Sequence, residues 1–301
     1  MEKKYTFKYI ESCNMCGALS DKFKILGKSL NTSQGKDPQN KVGISVTIQQ
    51  CKSCSLIFPN PFPIPNDIQD HYGIPPENYW VGNYFNIDNN YFAGGLEWIK
   101  KLDGKIEGAK ALDIGAGVGH CMKALERGGY DVYGIEPSIP FHERAISKMG
   151  INPSILKNVQ IEDAEFESDF FDFITFGAVL EHLYDPNLCL KKAMKWLKPG
   201  GLMYVEVPSS DWLVNKIINR IYKLKGKDYV GNLSPMHEPF HLYEFGVDSF
   251  ERNAEKLGYE IADKVFYVGD TYLPKVMDPI IKPYMKRTDK GMQLALMLRK
   301  K

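Results

Sequence analysis

The chain has 301 residues, 44% hydrophobic and 25% charged, with a formal net charge of +1. That length supports one large domain plus a small one, and the balanced charge excludes a global electrostatic pull toward nucleic acid or a membrane surface. The chain has no apolar run long enough to span a bilayer, and its start, M-E-K-K-Y-T-F-K, lacks a signal-peptide stretch, so no membrane span and a cytoplasmic location are expected.

Residues 1–72 are organised by two C-x-x-C pairs, Cys13 with Cys16 and Cys51 with Cys54. Each pair makes a turn whose two thiolates can face one ion, and two such turns complete a tetrahedral zinc site. The same spacing could serve a redox pair or four reduced core cysteines; a reducing compartment favours metal. With four protein thiolates the ion has no open position, so the expected role is structural. Residues 42–50 alternate like a strand leading into the second pair, and 31–41 read as a loop.

Four prolines between 59 and 65 then fix an extended, non-helical connector. Residues 73–105 form an aromatic-rich link, in which Tyr72, Tyr79 and Tyr84 at or near its start are candidate lid residues. Residues 91–101 read as a helix covering the next segment, with its aromatics in the core.

That segment, A-K-A-L-D-I-G-A-G-V-G over 109–119, is a buried strand running into a glycine turn and then a helix. Glycines suit positive φ and close approach of a ligand to the backbone. A dinucleotide fingerprint requires a third glycine where His120 stands. The pattern present is Asp113, Gly115, Gly117 and Gly119, and a carboxylate at the strand end attracts a cation and repels a pyrophosphate. Here the chain resembles the class I S-adenosylmethionine-dependent methyltransferases, whose first motif reads this way. The resemblance implies a doubly wound, mainly parallel, seven-stranded Rossmann-like α/β sheet over 106–301, with Asp113, Gly115, Ala116, Gly117 and Gly119 cradling S-adenosylmethionine.

The second strand, 130–136, ends in Glu136-Pro137, and a planar pair of carboxylate oxygens matches the vicinal diol of a ribose. A helix over 141–149 closed by Gly150 and a short strand over 151–156 follow. The resemblance puts the adenine beside Asn158 and Val159, with Asp163 as a second candidate. The run 171–176 reads as a central strand buried on both faces. It is followed by G-A-V-L-E-H, similar to the family's segment after strand four, so Gly177, Glu181 and His182 are expected at the pocket; His182 also fits a structural cap. A helix over 188–197, a stop at Lys198-Pro-Gly-Gly201 and a strand over 202–207 complete the alternation.

Residues 211–236 read as an insertion, a helix with apolar residues at 213, 217, 218, 221 and 224 that suits a cap on the sheet, a dimer face or a membrane surface. His237 and His241 come next, where this fold places substrate contacts. A helix over 247–257 precedes two closing strands, 259–268 and 292–298.

The cysteine pairs, proline link and glycine motif together are similar to methyltransferases with an N-terminal zinc module, of which nucleotide-sugar C-methyltransferases are the familiar example. The resemblance implies C- or O-methyl transfer to a small, sugar-derived metabolite. His241, His237 and His182 are the candidate bases, because imidazole titrates near working pH. An RNA methyltransferase is the alternative within enzymes, but the basic stripe it needs is missing and a nucleic-acid partner is not expected. A non-catalytic scaffold is the other alternative.

Overall fold

A computed structural model describes residues 5–29, 45–67, 69, 85–233, 241–269, 271 and 273–301. The N-terminal strands are β1 (Tyr5–Lys8), β2 (Phe23–Ser29), β3 (Thr47–Cys51), β4 (Ile57–Pro59) and β5 (Phe62–Pro65). β2, β3 and β4 pair antiparallel, so the second cysteine pair lies in the turn joining β3 to β4. The proline-rich connector is extended, as its composition dictates, yet it is no free linker: β5 pairs with β1. Tyr72, Tyr79, Tyr84 and the expected loop 31–41 lie outside the described residues.

Helix α1 (Ala93–Lys101) starts two residues later than expected, after Phe92, whose φ of 58° is left-handed and non-helical. The main sheet then follows: β6 (Lys110–Ile114), α2 (His120–Gly128), β7 (Asp131–Ile135), α3 (Ile139–Ser147), β8 (Leu156–Lys157), β9 (Phe171–Gly177), α4 (Pro186–Trp196) and β10 (Leu197–Pro208). Ser138 Oγ caps α3 by accepting from Phe141 N, and Asp185 caps α4 by accepting from Leu188 N, which explains why both helices begin two residues before the hydrophobic pattern does. The third strand, expected over 151–156, is only Leu156–Lys157, paired with Gly134 and Ile135, with Gly134 N and Glu136 N donating to the Ile155 and Lys157 carbonyls.

After β10 come α5 (Leu213–Leu224), β11 (Tyr229–Val230), α6 (Val247–Leu257), β12 (Tyr259–Tyr267), α7 (Asp278–Arg287) and β13 (Gln293–Lys300). The seven-stranded sheet has the order β12-β13-β10-β9-β6-β7-β8. Its pairs are parallel except those made by β13, which is antiparallel to both β10 and β12. Alternate side chains feed two cores. Leu112, Ile114, Ile174 and Phe176 face one, and Ala111, Phe173, Leu202 and Tyr204 face the other with Trp98 and Ile99 of α1.

The first core runs without a break into the N-terminal strands, where Met15, Leu56, Phe58 and Phe62 are all buried with it. The insertion belongs to that unit too. β11 pairs parallel with β2 and makes it a four-stranded sheet, β11-β2-β3-β4. Helix α5 therefore packs beside β11 and is not a simple cap on the main sheet. Its expected stripe is partly solvated, with Leu224 85% exposed, whereas Asn215 is buried. Asn215 Nδ2 donates to Glu244 Oε1 at 3.4 Å, and Asn219 Oδ1 accepts from Gly231 N at 2.6 Å, so this polar pair turns the helix toward β11.

Candidate active site

A cavity of about 480 Å³ opens at the carboxyl ends of β6, β7, β9 and β10, the crevice where open α/β sheets take ligands. Its floor is the turn after β6. Gly115, Gly117 and Gly119 all have left-handed φ values, of 70°, 55° and 91°. A Cβ on Gly115 would lie 2.6 Å from Val179, and one on Gly119 would lie 2.7 Å from Ile151. At Gly117 it would meet only Phe141, at 3.9 Å, so there the missing side chain is space on the cavity side.

Glu136, at the end of β7, is tied to this turn. Its Oε2 accepts from Gly117 N at 2.7 Å and its Oε1 from Ser138 N at 2.8 Å. It is 6% exposed, and burial pushes its pKa up to about 7. Asp113 is 3% exposed, and its Oδ2 has no hydrogen-bond partner. Burial, with the Glu136 charge added, pushes Asp113 up to about 8. Two buried acids, both costly to ionise without a counter-charge, make this end of the cavity favourable to a cation.

Eight of the expected binding residues line the cavity: Asp113, Gly115, Ala116, Gly117, Glu136, Pro137, Val159 and Gly177. Three do not. Gly119 begins α2 and makes room for Ile151. Asn158 donates its Nδ2 to Glu136 O at 2.8 Å and Pro137 O at 3.1 Å, bracing the loop from behind. Glu181 is 2% exposed and off the lining, with a carboxylate oxygen within 4.8 Å of a ring nitrogen of both His182 and His241. Asp163 is engaged by Gln160 Nε2 at 2.5 Å and lies off the cavity. In their place Gln160, Ile161 and Glu162 complete the wall after β8, and Tyr91 and Phe92 close it from α1's side.

The far end of the cavity holds His182, Tyr184, Tyr204 and Glu206. Tyr204 Oη donates to Glu206 Oε2 at 2.7 Å. A glutamate inside an apolar strand, two residues from a tyrosine and so on the same face, was the sequence signal for this wall. His241 is exposed, and its ring lies 4.8 Å from that of His182. Glu181 O accepts from Leu242 N at 2.7 Å and Tyr243 N at 3.2 Å, which docks the His241 loop on the turn carrying His182. His237 lies outside the described residues. Among the described residues that line the cavity there is no lysine or arginine.

The four N-terminal cysteines converge. Cys13 Sγ is 3.5 Å from Cys54 Sγ, Cys16 Sγ is 3.6 Å from Cys51 Sγ, and all four sulfurs lie within 4.8 Å of one another. A tetrahedron with ~2.3 Å zinc–sulfur bonds has edges of about 3.8 Å, so the four sulfurs match that size. None of the six cysteines forms a disulfide.

The donor set at the glycine turn fits S-adenosylmethionine. A cationic, diol-bearing ligand suits a buried carboxylate with one oxygen unpartnered among the described residues, a second acid at a strand end and open space at Gly117. Comparison with known proteins agrees. A family model described as "Methyltransferase domain" matches residues 91–264. Over 176 residues the chain is 29% identical to the ubiquinone biosynthesis O-methyltransferase of Bordetella avium, covering 55% of this chain and 68% of that protein. The enzyme of the same name from Shewanella sp. is 27% identical over 135 residues, 43% of this chain and 57% of its own. The magnesium protoporphyrin IX methyltransferase of Synechocystis, solved with S-adenosylhomocysteine bound, is 13% identical over 71% of this chain and 83% of its own, at a TM-score of 0.49. With the family model spanning more than half of its length, this chain belongs to the methyltransferase-domain family and is a class I S-adenosylmethionine-dependent methyltransferase.

Proposed function

We propose that the enzyme moves a methyl group to an oxygen or acidic carbon of a small, neutral, polar acceptor of the sugar type. The observation that carries this reading is the cavity wall bearing His182, Tyr184, Tyr204 and Glu206, which has no lysine or arginine among its described lining residues; His241 lies outside that lining, with its ring 4.8 Å from that of His182. Aromatic faces suit the C–H surface of a sugar ring, and carboxylate and phenol suit its hydroxyls. The phosphates of a nucleotide sugar would have to lie outside this cavity.

When bound, S-adenosylmethionine supplies an already activated methyl group. The residues at the other end hold that donor: Glu136 accepts the ribose hydroxyls, Asp113 faces the cationic amino-acid end, and Val159 with Ile161 borders the adenine. Gly117, whose N–H is held by Glu136, leaves open space to the ligand. At the acceptor end His241 and His182 take the proton, while Tyr204 and Glu206 orient the acceptor for in-line approach. In this reading the four thiolates of Cys13, Cys16, Cys51 and Cys54 hold one structural zinc ion, and residues 1–72, 73–105 and 106–301 act as module, link and methyltransferase domain.

A second reading, an aromatic hydroxyl as acceptor, draws on the names of the relatives and on Tyr184 and Tyr204 at the far wall. One assay separates them: release of S-adenosylhomocysteine with nucleotide-linked keto sugars, free hexoses, catechols and transfer RNA. Turnover with a sugar, cut about a hundredfold or more in His241→Ala or His182→Ala, is expected. Turnover on RNA alone would overturn both readings.

Donor binding should depend on pH. In the free protein Asp113 and Glu136 are held up near 8 and 7 by burial, and a cation favours their ionised forms. Binding therefore releases protons below pH 8, and affinity should rise on the order of tenfold from pH 6 to 8.5. Calorimetry in two buffers of different ionisation enthalpy reads this directly. For stability the sign is opposite. The folded state keeps these protons to higher pH than the unfolded chain, so stability declines as pH rises from about 4 through about 8.

A further inference from the structure

The first thiolate turn reaches beyond its sulfurs. Asn14 lies inside it, between Cys13 and Cys16, and its Nδ2 donates to Tyr184 O at 2.9 Å and to Tyr243 Oη at 2.5 Å. Tyr243 Oη donates in turn to the same Tyr184 carbonyl, at 2.9 Å. One amide, one phenol and one carbonyl thus close a triangle across segments about 170 to 230 residues from Asn14 in the chain. Tyr243 is fully buried, with its ring 5.3 Å from that of Phe62 in β5 and 5.6 Å from that of Phe245. Burial holds its phenol well above the usual range, so it stays a donor.

Tyr184 follows His182 by two residues and Tyr243 follows His241 by two. The triangle is therefore an anchor for both segments of the histidine pair, beside the Glu181 carbonyl that accepts from Leu242 N and Tyr243 N. Helix α6 holds both thiolate turns, the first through Met15 and the second through Cys54. Asn253, fully buried, donates its Nδ2 to Met15 O at 3.2 Å, and Ser249 Oγ donates to Cys54 O at 2.7 Å. The first thiolate turn thus reaches two irregular loops through the Asn14 side chain.

We propose that Asn14 is a positioning residue for the acceptor end of the active site: through Tyr184 O and the Tyr243 phenol it sets the mutual placement of the His182 and His241 rings. The residue type follows from the geometry. A neutral amide brings two N–H donors on one atom to a carbonyl and a phenol oxygen, whereas an aspartate of the same size turns a carboxylate oxygen on the Tyr184 carbonyl. The proposal rests on reading the two histidines as the acceptor-end pair, and its test is separable from the turnover assay that probes their role.

The test uses the full-length protein with its four-cysteine centre zinc-loaded, histidine rings isotope-labelled, with and without saturating S-adenosylhomocysteine. In the parent protein the two rings, 4.8 Å apart between centroids, should give an inter-ring nuclear Overhauser effect. In Asn14→Asp and in Tyr243→Phe that effect should fall at least twofold and the His241 ring signals should shift. S-adenosylhomocysteine affinity should stay within twofold and zinc content should be unchanged. Unaltered ring signals in both variants overturn the proposal. So does a joint loss of zinc, ligand affinity and the ring contact, which marks a general fold defect. Should Asn14→Asp fail to fold, Tyr243→Phe, which removes one hydroxyl, decides the question alone.

Discussion

Exchanging Cys51 for serine is expected to empty the four-thiolate centre and to lower the unfolding temperature of the whole chain by about 10 °C or more. Structural zinc contributes on the order of 10 kcal/mol in isolated small domains, comparable to the ~5–15 kcal/mol total stability of a typical protein. Here the sulfurs do not sit in a detachable appendage. Cys13, Cys51 and Cys54 are buried in the same core as Phe176, Trp196 and Phe250 of the methyltransferase sheet and its helices. A loss of about 5 kcal/mol, at ~2 °C or more for each in a chain of this size, therefore reaches the sheet and does not stop at the N-terminal strands. Metal analysis should find close to one zinc per parent chain and almost none in the variant. A parent protein that is metal-free, fully folded and equally stable refutes the zinc centre.

The second large effect is expected at Glu136. Replacing it by alanine should weaken S-adenosylhomocysteine binding by about a hundredfold or more. In the proposed donor pose Glu136 makes two charge-assisted hydrogen bonds to a ribose diol, each worth about 1.5–3 kcal/mol, and the variant cannot make them. The same change also removes the acceptor for Gly117 N and Ser138 N, so the glycine turn loses its tie to β7. Glu136→Gln keeps one carbonyl acceptor and should lose roughly tenfold, since the remaining bonds are neutral and weaker. Calorimetric titration separates the two variants. Unchanged affinity in Glu136→Ala would remove the diol-binding role and with it the way the donor is oriented in the cavity.

The sheet and the donor end were legible because they are written in local spacing. Strand β6, the turn and α2 are contiguous, and the left-handed φ values at Gly115, Gly117 and Gly119 can be anticipated from the residue type alone. Asp113 and Glu136 sit at strand ends, and alternation identifies strand ends well. The stretch after β8 was less legible: Asn158 was expected on the wall, but its amide finds two backbone carbonyls nearer to hand.

Other features depend on pairs distant in sequence, which no local pattern encodes. The insertion reads as a cap by periodicity, yet β11 completes the N-terminal sheet beside β2, and Asn215 and Asn219 override the apolar stripe because their partners lie on that side. By itself the sequence determined the alternation of strands and helices from β6 to β10, the glycine turn with its neighbouring acids and the two C-x-x-C turns, because each depends on residues a few positions apart. Only the tertiary structure decided that the rings of His182 and His241 lie side by side, that Tyr204 and Glu206 line the same cavity as His182, and that Asn14 of the thiolate turn reaches Tyr184 and Tyr243. The contacts of the histidine pair and of Asn14 with Tyr243 join residues 59 and 229 positions apart, and packing of the whole chain is what brings them together.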